Sequence, residues 1–157
     1  MASDPPIASS TNQVQVSRFA AHGLIEITME GDILYYVATG PFNEEVFDRF
    51  AIAQASYLAT LEHPTPWVSI ATFVDCALFT PEAIARYTAV MQAPKPQGRA
   101  PVATAFVIGP DVEGGKIMAP YFRKIYDSIQ RPFTIVSTLA EAQSWAQSIL
   151  NTSRQGG

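Results

Sequence analysis

The stretch WVSIATFVDCALFTPEAIARY, Trp67 to Tyr87, decides the fold. Trp67 to Val74 is apolar and β-prone, and reads as a strand. Thr80, Pro81 and Glu82 then supply an N-cap, a first helical residue and a first-turn acid, and Phe79 is placed to staple onto Ile84. A strand that runs into a helix is the repeating unit of a mainly parallel sheet. Asp75 and Cys76 thereby fall at the carboxyl end of a strand, the edge where open α/β sheets bind ligands.

Upstream, Ile33 to Thr39 is a nearly unbroken apolar run, as an interior strand of a helix-covered sheet requires. Asn43 follows as an N-cap, with Glu44 and Glu45 in the first helical turn. Val46, Phe50, Ala53, Tyr57 and Leu61 recur at helical spacing, on a face widened by Phe47 and Leu58. His63-Pro64-Thr65-Pro66 ends that helix. Before these elements Ile25, Ile27 and Met29 alternate with Glu26, Thr28 and Glu30, an edge strand with one wet face. The Gly31-Asp32 turn makes this strand antiparallel to its successor.

Downstream, Pro94-Lys95-Pro96 closes the second helix and Val102 to Ile108 forms the next strand. Pro120 suits the first turn of a third helix that buries Phe122, Ile125 and Ile129; a start before Pro120 is the alternative. Phe133 to Val136 is a short fifth strand, and Thr138 with Glu141 matches a capping box. The last helix turns Ala142, Trp145, Ala146, Ile149 and Leu150 to the core. Residues 1–21, extended near Val14 and Val16, and residues 151–157 read as flexible tails around one domain, 22–150. The expected fold is α/β: a mostly parallel five-stranded sheet with an antiparallel first strand and about four helices.

Composition narrows the function classes. With 48% hydrophobic and 15% charged residues in 157, the chain suits a compact domain with a sizeable core. A net charge of -4 and interrupted basic residues argue against nucleic acid as a partner. The lone Cys76 excludes an internal disulfide framework and a multi-cysteine zinc site. No stretch reads as a secretory leader or a membrane span, so a cytoplasmic location is expected.

The element order, together with ATGPFNEE (38–45), FTPEA (79–83) and RPFTIVSTLAEAQSWAQSIL (131–150), resembles the STAS-like group of anti-sigma factor antagonist type. The resemblance covers about Leu24 to Leu150 and implies a non-enzymatic regulatory or protein-interaction module. In antagonist members a phosphorylatable Ser or Thr stands where the third strand passes into the second helix. The matching position here is Thr80, preceded by Phe79 rather than by the Asp of that pattern.

The candidate binding residues are Asn43, Asp75, Cys76, Thr80, Glu82, Asp111 and Thr138, all expected along one rim of the sheet, with Thr80 as the phosphorylation candidate. A cap worth about 1 kcal/mol explains Thr80 without signalling. Asp after a strand commonly forms a turn, and a lone cysteine among apolar residues packs as a small hydrophobe. Gly109 to Lys116 departs from a phosphate-binding loop, having Pro110 at the first glycine and Ile117 at the hydroxyl position. His22 and His63 lack zinc or nucleophile-elbow spacing, and no metal or cofactor is expected. Aromatic residues such as Tyr36, Phe47, Phe50, Phe73 and Tyr87 suit either core packing or a cavity wall. The expectation is a bacterial partner-binding module, with a homodimer admitted. The alternative is a carrier or sensor of a small apolar or anionic ligand at the carboxyl edge of the sheet.

Overall fold

A computed structural model describes residues 9–10, 23–60, 65–96 and 98–155. Val14, Val16, His22, Leu61 and His63 lie outside them. The elements are β1 (Ser9–Ser10), β2 (Leu24–Glu30), β3 (Ile33–Thr39), α1 (Glu44–Leu58), β4 (Val68–Val74), α2 (Pro81–Gln92), β5 (Ala103–Val107), α3 (Gly115–Ser128), β6 (Phe133–Val136) and α4 (Leu139–Gln155). The strands lie side by side in chain order. β2 runs antiparallel to β3, and β3 to β6 are mutually parallel. The expected mixed five-stranded sheet with four helices is thus present. One short strand is added: Ser9 and Ser10, placed in the tail by sequence, pair antiparallel with Ile27 and Glu26. The outer edge of β2 offers unpaired backbone groups there, and an edge of that kind recruits any extended segment nearby.

Alternation along the strands builds two unequal cores. Leu34, Tyr36 and Ala38, with Ala71, Phe73 and Phe106, face α1, α2 and α3. Ile33, Val68, Ile70, Ala103, Ala105 and Val107 face α4, which presents the fully buried small side chains of Ala142 and Ala146. Successive crossovers of one hand, made in one direction along the sheet, stack their helices on one face, and only the helix after the last strand takes the other. Because α4 lies over β4, β5 and β6, Val37 on β3 stays 40% exposed despite its apolar run.

α3 takes the alternative start, before Pro120, and α4 is longer than expected. α3 opens at Gly115, a turn and more before Pro120, because Met118 extends the apolar stripe of Phe122 and Ile125 backwards and is itself buried. Gly114, at φ 80°, turns the chain into the helix, and Met118 N donates to Gly114 O at 3.0 Å. Pro120 removes one donor, that for the carbonyl of the exposed Lys116. α4 continues past Leu150 to Gln155, so residues 151–155 are helical rather than a loose tail. No proline or glycine interrupts it before Gly156. Gln147 donates to Asn151 Oδ1 at 3.2 Å and Thr152 Oγ1 to Ser148 O at 3.1 Å, both across one helical turn.

Candidate functional site

The carboxyl rim of the parallel strands is sewn together by its own backbone. Gly40 N donates to Val74 O, Phe42 N to Leu78 O and Thr80 N to Phe42 O, so the loop after β3 lies along the loop after β4. Ala77 N donates to Glu113 O and Glu113 N to Asp75 O, which adds the loop after β5. Gly40 is needed for this approach: a Cβ there would stand 2.2 Å from Cys76 O. Asp75 takes φ 66°, a left-handed turn that Asp tolerates better than most residues.

The rim places the sequence candidates as follows. Asn43 Oδ1 accepts from Val46 N at 3.3 Å and Thr80 Oγ1 from Ala83 N at 3.0 Å, so both are helix caps. The backbone pairing of Phe42 with Phe79 makes these caps neighbours. Asp75, Thr80, Glu82 and Asp111 are exposed, whereas Cys76 is buried, with its sulfur accepting from Leu78 N at 3.5 Å. Thr138 stands apart, beyond Ser137 and on the α4 side. Its hydroxyl accepts from Glu141 N at 3.3 Å and donates to Glu141 Oε1 at 2.9 Å. The capping box therefore closes on the threonine hydroxyl instead of its backbone N–H. Arg86 pairs with Glu44 and Asp48, joining α2 to α1 just behind the rim.

An open groove of ≈ 640 Å³ flanks this rim between Gly109, Lys116, Ile117 and Ser137. Asp75, Cys76 and Thr80 line neither it nor the two cavities described below. The strand order supplies the reason. Ligand crevices in open sheets form where the order reverses, and here it never does.

A more enclosed space lies elsewhere, inside the three-helix face. A cavity of ≈ 50 Å³ is walled by Phe47, Phe50, Phe73, Phe79 and Phe106. Its polar lining gathers toward the amino ends of the strands, where Ser69, Thr104 and Arg131 are near neighbours. Ser69 and Thr104 share a 2.7 Å hydroxyl hydrogen bond. Gln54 donates to the Tyr36 hydroxyl, and the Tyr87 and Tyr126 hydroxyls bond each other. Burial pushes all three tyrosine pKa values up, so these phenols remain neutral. A third, shallow cavity of ≈ 230 Å³ separates α1 from α2 beside Lys95. Burial, and next the charge of Arg131, lower the pKa of Lys95, whose ammonium donates to the carbonyls of Val90, Met91 and Ala93.

Sequence reasoning named Tyr36 and Tyr87 only as aromatic bulk and missed Gln54, Ser69, Thr104 and Arg131. A signal was present in Ser69 and Thr104, each a hydroxyl inside an apolar strand, but their meeting depends on the β4–β5 register. Among the described residues no group of three His, Cys, Asp or Glu side chains is placed to hold a metal ion, and no helix is long and apolar enough to cross a membrane.

No family model and no curated protein matches the chain. Among solved structures it is similar to one described as the crystal structure of apo-SiaC from Pseudomonas aeruginosa, with a TM-score of 0.50 and 13% identity over 78% of this chain and 97% of that one. At that identity the likeness is one of fold: a mixed sheet with four helices.

Proposed function

We propose that this protein is a non-enzymatic regulatory module of STAS-like, antagonist type, which binds a protein partner through the Asp75–Glu82 junction. The observation that carries the reading is the setting of Thr80. It is an exposed hydroxyl at a helix N-terminus, on a rim held by backbone hydrogen bonds, and it lines neither the flanking groove nor either of the two cavities. A surface of that kind suits contact with a macromolecule. Glu45, Asp75, Glu82, Asp111 and Glu113 make it acidic, with Glu44 offset by Arg86, so the complementary partner surface is basic. Phosphorylation of Thr80 would add about -1.5 to -2 charge where the dipole of α2 accommodates it, and would change that complementarity without unfolding the helix. The shared fold with apo-SiaC is compatible with this reading. The test is capture from a native lysate by wild type, Thr80→Ala and Thr80→Glu, each verified as folded by circular dichroism. A specific protein held by wild type and lost or strengthened with Thr80→Glu is expected. Capture indifferent to the charge at position 80 would overturn the assignment.

A further inference from the structure

The aromatic cavity has a cationic end with no acid in it. Arg131 is half-buried, and among the described residues it forms no ion pair. Among the described residues its Nη1 reaches Thr104 Oγ1 at 3.5 Å and Met91 Sδ at 4.0 Å, while the guanidinium lies 5.7 Å from the centre of the Tyr126 ring. A guanidinium has five N–H donors, and a half-buried one with two long contacts retains donors for a further acceptor. Lys95, close enough for the two charges to repel, is already engaged by three carbonyls.

We infer that this cavity binds a short-chain monocarboxylate, with its carboxylate on Arg131 and Thr104 and its carbon chain between Ala71 and Phe106. Charge sets the first limit: one uncommitted guanidinium, surrounded by neutral hydroxyls, balances a single negative charge. Neutral phenols nearby donate hydrogen bonds to a carboxylate without repelling it. Size sets the second limit. A volume of ≈ 50 Å³ is several times the roughly 10–15 Å³ that one water requires, yet far below the roughly 300 Å³ at which pockets for larger ligands begin. That admits a carboxylate with a short alkyl tail and excludes a lipid. Entry is through the half-buried Gln54 and Arg131, both long side chains able to swing aside.

The test is a ¹H–¹⁵N NMR titration of the whole chain at constant ionic strength with acetate, propionate, octanoate, 1-propanol, phosphate and chloride. Propionate is expected to give saturable shifts at Thr104, Phe106 and the Arg131 side chain, with about millimolar affinity for so few heavy atoms. Octanoate, propanol, phosphate and chloride are expected to give none of them. Arg131→Gln should weaken propionate about tenfold or more. Ala71→Val, which fills the cavity from a strand position, should abolish binding. Should Arg131→Gln fail to fold, Tyr126→Phe removes one lining hydroxyl with little change of shape and should weaken binding several-fold. A cavity holding water only, seen as no saturable shift to about 0.1 M propionate, overturns the inference. So do equal shifts with propanol or chloride, or unchanged affinity in the folded variants.

Discussion

The hydroxyls of Ser69 and Thr104 stand 2.7 Å apart across the β4–β5 pairing, and both side chains are buried. Each bonds the other at the polar end of the aromatic cavity, where Thr104 Oγ1 also accepts from Arg131 Nη1 at 3.5 Å. Ser69→Ala should therefore destabilise the fold by about 1–3 kcal/mol, the cost of stranding a buried hydroxyl. The double variant Ser69→Ala with Thr104→Val should cost less than the two singles summed, since the two hydroxyls that bond each other are then removed together. Urea unfolding with an unchanged m-value is the measurement.

The fold should lose stability in alkali. Tyr36, Tyr87 and Tyr126 have pKa values raised above the unfolded value of 10.0, chiefly by burial. For groups raised in this direction the stability is complete below the unfolded pKa and is lost as pH climbs above it. Each tyrosine contributes a slope of about 1.4 kcal/mol per pH unit beyond that point. Urea midpoints should fall steeply above about pH 10, and tyrosinate absorbance from these residues should rise only as the protein unfolds. Tyrosinate formation at these positions with the fold intact would contradict this account.

Gly40→Ala should be among the most damaging single-methyl additions in the chain. The new carbon would meet Cys76 O at 2.2 Å and the Phe42 ring at 2.7 Å, and the first of these neighbours is backbone. A loss of about 3 kcal/mol or more is expected, in the range of severe overpacking. Thermal unfolding compares it with Gly31→Ala, where space is open and the strain lies in φ 61° alone.

Thr80 separates capping from contact. Thr80→Ala should cost about 1 kcal/mol by removing the bond from Ala83 N, whereas Thr80→Asp, itself a good cap, should cost little. Binding of the partner should follow charge at this position, and stability should follow capping. If binding tracked stability across the two variants, Thr80 would be a structural residue only.

Cys76 should behave as an inert thiol. At 6% exposure, within a loop held by three neighbouring backbone bonds, it should react slowly with a thiol reagent in the native protein and promptly in denaturant. Rapid modification of the native protein would mean that the rim opens readily.

Much of the fold was legible in the chain because its signals are local. The caps at Asn43, Thr80 and Thr138, the apolar runs of β3, β4 and β5 and the alternation of β2 each lie within a few residues of what they control. The start of α3 and the end of α4 were harder to place, for one reason. Pro120 and the polar residues after Leu150 resemble stop signals, yet burial of Met118 and the absence of a breaker before Gly156 outweigh them.

The amino-acid order by itself determined the element sequence, the parallel sheet and the rim on which Asp75 and Thr80 stand, since periodicity and capping act over one or two turns. Only the tertiary structure decided that the strand order never reverses, so that the rim has no switch-point crevice. Only it, too, carried Arg131, Thr104 and Ser69 to one end of an aromatic cavity. These residues meet through strand register and helix packing, which join positions far apart in the chain and leave no periodic trace along it.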